Sequence, residues 1–287
     1  MKRNFTPGTE WLYLKIYTGI KTSDLILEEI VQPLAEYFDE NNYISKWFFI
    51  RYNDPKPHLR LRFHLYNIKF YSKVLSKIND SLVEFLQSGE ISNVVTDTYR
   101  REIERYGRRT IENAEVLFWK NSEFTLQCLS YDDEEKIIFS LFYIDQTLDQ
   151  LKFSVLEKIN WVTNFNRAFK NEFNADKKLN SQLDKKYRAF KPNYKIFIHS
   201  DIFLTERQTI ISHIEDNIPI CKNIIDQSQS LEISSESFFQ SVFHMNINRL
   251  FNSNQRLFEM IIYDYLNRYY KAELHSYKVV KRLSEKI

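Results

Sequence analysis

Residues 46–65 read KWFFIRYNDPKPHLRLRFHL. At a period of two, His58, Arg60, Arg62 and His64 fall on one face, and Leu59, Leu61, Phe63 and Leu65 on the other. That alternation predicts a strand with one buried side. KWFFIRY (46–52) is apolar at nearly every position and predicts a second, central strand. NDPKP (53–57) predicts a turn, because Asp54 precedes Pro55 and Pro57 follows two residues on. The two strands then pair as an antiparallel hairpin. The polar face of the second is unusual, since like charges side by side on a strand repel. Either each arginine pairs with an acid on a neighbouring strand, or the face receives an anion.

Outward from this hairpin, WLYLKIY (11–17) predicts a further strand, dense in aromatic and β-branched residues. A helix follows over 22–40, capped by Thr22 or Ser23 and kinked at Pro33. A helix over 67–88, a short strand at 91–96, the segment TYRREIERYG (98–107) and a helix over 109–119 come next. Beyond that the pattern is helical, over 133–149, 153–173, 177–189, 204–226, 235–251 and 254–272. The lysine-rich 174–194 predicts an exposed helix and loop, and KIFIHSD (195–201) a short strand or an extended linker. The fold class is α+β, with an N-terminal mixed or antiparallel sheet and a large helical C-terminal part packed around it. A single domain is expected over 1–287, sheet-rich to 120 and helical from 121.

Composition narrows the function classes. The 287 residues are 43% hydrophobic and 16% aromatic with only 4 glycines, which suits a packed globular protein. The 40 basic and 38 acidic residues leave a net charge of +2, so no broad field invites nucleic acid, and any positive site is local. Cys128 and Cys221 form neither a disulfide framework nor a zinc site. No secretory h-region and no run of 18 apolar residues occurs, which predicts a cytoplasmic protein without membrane insertion. There is no Gly-rich phosphate loop, HExxH, CxxC or GxSxG, and the six histidines are scattered. No metal and no cofactor are expected.

Three segments could carry chemistry. Arg60 and Arg62 present planar forks suited to a carboxylate. In TYRREIERYG, Arg101 and Arg105 align if the segment is helical, or belong to an ordinary ion-pair network with Glu102 and Glu104. In SVFHMNINRLF (241–251), His244 and Asn248 stack at i and i+4, or His244 is a core-edge histidine bonded to a carbonyl. Guanidinium groups with one imidazole suit proton abstraction beside a carbonyl, with arginines holding an anionic substrate or leaving group.

The order WLYLKIY, WFFIRYNDPKPHLRLRF, YRREIERYG, AEVLF and HMNINRLF resembles, end to end, the C-terminal elimination domain of class I lantibiotic (lanthipeptide) dehydratases. The same domain type occurs in thiopeptide-type bacteriocin biosynthesis. The resemblance implies a lyase that expels glutamate from glutamylated Ser or Thr of a precursor peptide, leaving dehydroalanine or dehydrobutyrine. It implies Arg62, Arg101 and His244 as catalytic residues, with Arg60, Arg105, Asn248 and His58 binding substrate. It further implies a stand-alone form whose partner is a separate glutamylation protein using glutamyl-tRNA. A homodimer is compatible with it. Two positions depart from the family pattern: Gly107-Arg108 stands where YGG is frequent, and His244-Met245-Asn246 where HMH is frequent. The same fold also serves a pyridine-forming cycloaddition with leader release, or a non-catalytic peptide-binding role. The joint presence of Arg62, Arg101 and His244 favours elimination.

Overall fold

The computed structural model describes residues 1–228 and 233–284, with side chains described for 1–227 and 233–275. A short strand, β1 (Asn4–Phe5), precedes β2 (Trp11–Thr18). Helix α1 (Thr22–Ile26), a π-helical turn (Leu27–Val31) and α2 (Gln32–Glu40) follow. Pro33 follows directly on the π-helical turn within a continuous helical segment, and that wider turn accommodates the proline where a kink was predicted. The hairpin β3 (Ile44–Asn53) and β4 (Pro57–Leu65), helix α3 (Tyr71–Gln87) and strand β5 (Ile91–Thr96) come next. Then follow β6 (Tyr99–Arg100), α4 (Ile103–Tyr106) and α5 (Ile111–Gln127). The remaining helices are α6 (Asp133–Gln150), α7 (Val155–Glu172), α8 (Lys177–His199), α9 (Leu204–Ser228), α10 (Ser235–Leu250) and α11 (Gln255–Ser284).

Contacts divide the chain into two compact units, one of residues 1–131 and 223–253, the other of 132–222 with 254 onward. The division therefore falls later than residue 120, and α10, expected in the helical part, belongs with the sheet. In the first unit the four-stranded antiparallel sheet has the order β3-β4-β2-β5, and β1 pairs separately with β6. Leu12, Leu14, Ile16, Trp47, Phe49, Leu59, Leu61 and Phe63 point to one side of the sheet and bury Ile26, Leu34, Phe38, Val74 and Ile78 of α1–α3. The opposite side carries Tyr13 and Phe48 as cross-strand neighbours of Arg62.

Strand β3, expected to be central from its apolar run, is an edge strand. Its free backbone edge is covered by side chains instead of a fifth strand. Ser122 of α5 accepts from the Phe49 N–H at 3.2 Å, and Arg249 Nε of α10 donates to the Phe49 carbonyl at 2.7 Å. Asn248 accepts from the Arg51 N–H and donates to the Arg51 carbonyl, both at 3.0 Å. An amide thus copies one rung of a strand, and helices bury the edge that would otherwise invite pairing. Asn248→Ala removes both bonds and is expected to destabilise this unit by about 2 kcal/mol in urea unfolding. An unchanged midpoint would mean that the edge is held without it.

The second unit is helical. Capping boxes open α6 (Asp132 with Glu135) and α7 (Ser154 with Glu157). Tyr263 of α11 stacks on Phe169 of α7 at 5.4 Å. The buried Lys158 Nζ is held by Asp145 at 2.6 Å and Asp149 at 2.7 Å. Helix α8 runs through Pro192 to His199, so KIFIHSD is neither strand nor linker. Leu183, Tyr187, Phe190, Tyr194 and Phe197 keep one apolar stripe buried along it, and that packing overrides the local cost of proline. No described helix is long and apolar enough to cross a membrane.

Candidate active site

Arg62 lies at the middle of the polar sheet face. Its residue is 8% exposed, and its Nε finds no hydrogen-bond partner. Among the described residues it makes no ion pair. Three aromatic rings surround the guanidinium instead: Cζ lies 4.3 Å from the Tyr13 ring, 5.0 Å from Tyr99 and 5.1 Å from Phe48. Ring faces attract a cation but offer no hydrogen-bond acceptor in the guanidinium plane. Burial pushes its pKa below the ordinary arginine value, an effect that a bound anion would reverse. Of the two readings of the polar face, pairing with a neighbouring acid does not hold for Arg62.

Beside it opens a small cavity, part of it open to solvent. Phe48, Ile50 and Arg62 of the sheet form one wall, with Tyr99, Arg100 and Glu102 beside them. Tyr106, Ile111, Phe118, Met245 and Arg249 complete the lining. Arg249 is buried and directs Nη1 to Asn121 Oδ1 at 3.2 Å and to the Met245 carbonyl at 3.0 Å.

None of the other expected residues, His244 included, lines this cavity. Arg60 does not line the cavity. Its Cζ lies 3.4 Å from the Tyr52 ring, and its Nε donates to His58 Nε2 at 3.1 Å. His58 is buried, with Nδ1 donating to the Lys56 carbonyl at 2.8 Å, so its partners assign it the Nδ1–H tautomer. Arg105 is half exposed and pairs with Glu102 at 3.3 Å. His244 is half-buried on α10, where its neighbours Met245 and Arg249 face the cavity. Asn248 is occupied by the β3 edge, so its amide is committed to the backbone and not open to a ligand.

Arg101 is placed differently. It does not join Arg62 at the cavity but turns into the fold, where it meets the fully buried Glu115 of α5. Nε donates to Glu115 Oε1 at 2.7 Å and Nη2 to Oε2 at 2.8 Å, a bidentate pair. Nη1 reaches Glu112 and the Lys2 carbonyl, each at 3.2 Å. Burial opposes the charge, but the bonds to Glu115 outweigh it and hold the pKa above the ordinary value. Glu115 also accepts from the Tyr99 hydroxyl at 2.9 Å and meets Lys46 Nζ at 3.2 Å. Arg101 is therefore linked to Arg62 indirectly, through Glu115 and the Tyr99 ring.

Two imidazoles on this sheet face give a pH prediction. Burial lowers the pKa of His58, with Arg60 adding to the effect, and burial followed by Lys46 lowers that of His64. Both stay neutral when folded, while the unfolded chain takes up protons from about pH 6.5 downward. The unfolded state then binds more protons, so stability falls as pH drops from about 6.5 toward the folded values. Urea midpoints at pH 7.5, 6.5 and 5.5 (arbitrary steps of about one unit) should decline, and His58→Asn with His64→Gln should flatten the decline. A flat wild-type profile would contradict the burial of these rings.

The sheet face that carries this aromatic-walled guanidinium belongs to an α+β domain. The chain belongs to the lantibiotic biosynthesis dehydratase C-terminal family, whose model matches residues 11–270. It is 27% identical over 271 residues to the subtilin biosynthesis protein SpaB of Bacillus subtilis, covering 89% of this chain and 25% of that protein. It is 26% identical over 287 residues to the nisin biosynthesis protein NisB of Lactococcus lactis subsp. lactis, covering 95% and 26%. The chain thus spans about a quarter of the length of the curated relatives it matches. Its fold is similar to that of the tRNA-dependent lantibiotic dehydratase MibB from Microbispora sp. 107891, with a TM-score of 0.71 at 19% identity over 95% of this chain and 29% of that one. It is also similar to the pyridine synthase TbtD from thiomuracin biosynthesis, with a TM-score of 0.62 at 12% identity over 93% and 99%.

Several residues of the site have no signal in their own segments. Tyr13 and Phe48 read as ordinary strand aromatics, and Glu115 as one acid on a helix. Only the cross-strand register and the return of α5 give them a role.

Proposed function

We propose that this domain dehydrates a ribosomally made precursor peptide by eliminating glutamate from glutamylated Ser or Thr. A base removes the Cα proton, the electron pair forms the Cα=Cβ bond, and the Cβ–O bond breaks. The pair departs on the glutamate carboxylate, and dehydroalanine or dehydrobutyrine remains. Negative charge develops on the leaving oxygen, so a fixed cation there lowers the barrier. Arg62 supplies that cation, and the observation that carries this reading is its burial, without an ion pair among the described residues, beside a cavity walled by aromatic and apolar side chains.

His244 handles the proton, as the imidazole on the helix that also contributes Met245 to the cavity. Arg101 is a positioning residue in this scheme, acting through Glu115 and Tyr99. His58 holds Arg60, and Arg105 stands at the rim beside Glu102. The glutamylated peptide is supplied by a glutamylation activity that uses glutamyl-tRNA, which places the reaction in the cytoplasm. Membership of the dehydratase family supports the reaction class.

The test is reconstitution. The protein is mixed with a precursor peptide glutamylated on Ser or Thr, and the mass is followed. Loss of glutamate to give a dehydrated residue is the expected result. A glutamylated peptide that persists unchanged overturns the reading. Ring formation with leader release from a dehydroalanine-containing peptide would assign pyridine synthesis instead.

A further inference from the structure

A second cleft, wider than the one beside Arg62, opens along the start of β3 and shares no lining residue with it. Glu36 and Asp39 reach it from one face of α2, and Trp119 and Glu123 from one face of α5. Lys46 and Trp47 of β3 line it as well. Its charges do not cancel. The Lys46 ammonium is committed to the buried Glu115 at 3.2 Å. Glu123 meets Lys120 at 3.2 Å, and that ammonium also stands over the Trp119 ring at 4.1 Å. Among the described residues Glu36 and Asp39 make no ion pair, and Glu36 accepts only from the Gln32 amide, at 3.0 Å. Two exposed carboxylates one helical turn apart thus lack a counter-charge, and the cleft favours a cation.

The strand carries a second signal. In an antiparallel pair alternate residues turn N–H and C=O away from the neighbouring strand. Phe49 and Arg51 do so on β3, and side chains of α5 and α10 satisfy them. Trp47, opposite Phe63, has the same parity and is only 3% exposed. Among the described residues nothing bonds its outward N–H and carbonyl. Buried main-chain groups are paired almost without exception, so this rung calls for a partner from solvent or a ligand. We propose that the cleft binds a lysine or arginine residue of an extended peptide. Its main chain adds one rung at Trp47. A residue directly opposite Trp47 puts its side chain on the same sheet face, the one on which α2 packs. The basic side chain therefore runs beside the Trp119 indole to Glu36 and Asp39. Phe49 and Arg51 are already bonded, so strand addition stops there, and recognition is of one basic residue and not of a long segment.

The probe is a short capped peptide of alternating valine and threonine with lysine at its centre, titrated into the isotope-labelled protein. Binding is followed by the NMR signals of the Trp47 amide and the Trp119 indole, which should shift together with a single Kd. The same peptide with norleucine in place of lysine should bind about 3- to 30-fold more weakly. Glu36→Gln with Asp39→Asn should weaken the lysine peptide by the same factor and leave the norleucine peptide unaffected. Both positions are exposed on α2, so the double variant is expected to fold. Methylating the main-chain nitrogen of the central lysine removes the donor to the Trp47 carbonyl and should weaken binding further. n-Butylammonium, a cation without a main chain, should bind more weakly than the lysine peptide. Failure of the lysine peptide to bind, shifts confined to the Arg62 cavity, or equal affinity for the norleucine peptide overturns the inference. So does a double variant that binds like the wild type, a methylated peptide of unchanged affinity, or n-butylammonium that binds as tightly as the peptide.

Discussion

Under the proposed elimination, Arg62→Met is expected to suppress the loss of glutamate and to leave the protein at least as stable as the wild type. The two effects have one origin. A guanidinium taken out of water without an acid is held at a desolvation cost, and here only three ring faces and the solvent-facing part of the fork offset it. Cation–π contacts contribute about 0.5–2 kcal/mol each, in the range of what burial costs. Methionine fills similar space, and its sulfur meets Tyr13, Phe48 and Tyr99 favourably, at about 0.3–1.5 kcal/mol per ring. Stability measured by urea unfolding should therefore hold or rise. Activity should not survive, because the charge placed where the leaving carboxylate forms is gone. The loss of one such contact is expected to slow the step by about 100- to 1,000-fold. Glutamylated peptide should accumulate in a single-turnover mass assay. Arg62→Lys keeps the charge but loses the planar fork, and should recover only a small part of the rate. A loss of stability above about 3 kcal/mol in Arg62→Met would mark Arg62 as half of a structural ion pair and end its catalytic assignment.

That pairing of lost activity with kept stability also explains which parts of the site the sequence disclosed. The alternation His58-Leu59-Arg60-Leu61-Arg62-Phe63 is a local pattern, so both the strand and its basic face were legible. The antiparallel hairpin followed from the turn at Asp54-Pro55-Lys56-Pro57. Strand order was not legible, because an apolar run marks burial on both faces and is silent about edges. Strand β3 is buried at its edge by Ser122, Asn248 and Arg249, from segments about 70 to 200 residues away in sequence. The resemblance placed Arg101 at the site, but its own segment could not reveal the carboxylate that closes it. Glu115 is 14 residues further on, and only the packing of α5 against β3 and β6 brings the two together. Helix α8 failed for a related reason. Pro192 is a local signal to stop, whereas the stripe from Leu183 to Phe197 is a tertiary reason to continue. Local rules thus located the cation, and non-local contacts decided which cations remained open to a ligand.

The same logic makes Glu115 the residue whose loss should damage the fold most. Its side chain is fully buried and receives Arg101 at 2.7 and 2.8 Å, Tyr99 at 2.9 Å and Lys46 at 3.2 Å. Glu115→Ala leaves the buried guanidinium of Arg101 with only the exposed Glu112 and the nearly buried ammonium of Lys46 without its counter-charge. Breaking one side of such a pair is expected to destabilise by about 3–5 kcal/mol, a large part of the stability of a domain. Arg101→Ala should be nearly as harmful, since Glu115 would keep only Lys46 and Tyr99. Replacing both, as Arg101→Met with Glu115→Met, should return most of the loss, because apolar packing substitutes for the pair without stranding a charge. Urea unfolding of the two single variants and the double variant gives the coupling energy directly. Strict additivity would show that the bidentate bond carries no net stabilisation. The double variant also separates structure from catalysis. Its Tyr99 hydroxyl has lost its acceptor, so the ring beside Arg62 is no longer fixed, and elimination should stay impaired although the fold has recovered. A double variant with full activity would mean that Arg101 and Glu115 serve the fold alone and that Arg62 needs no help from Tyr99.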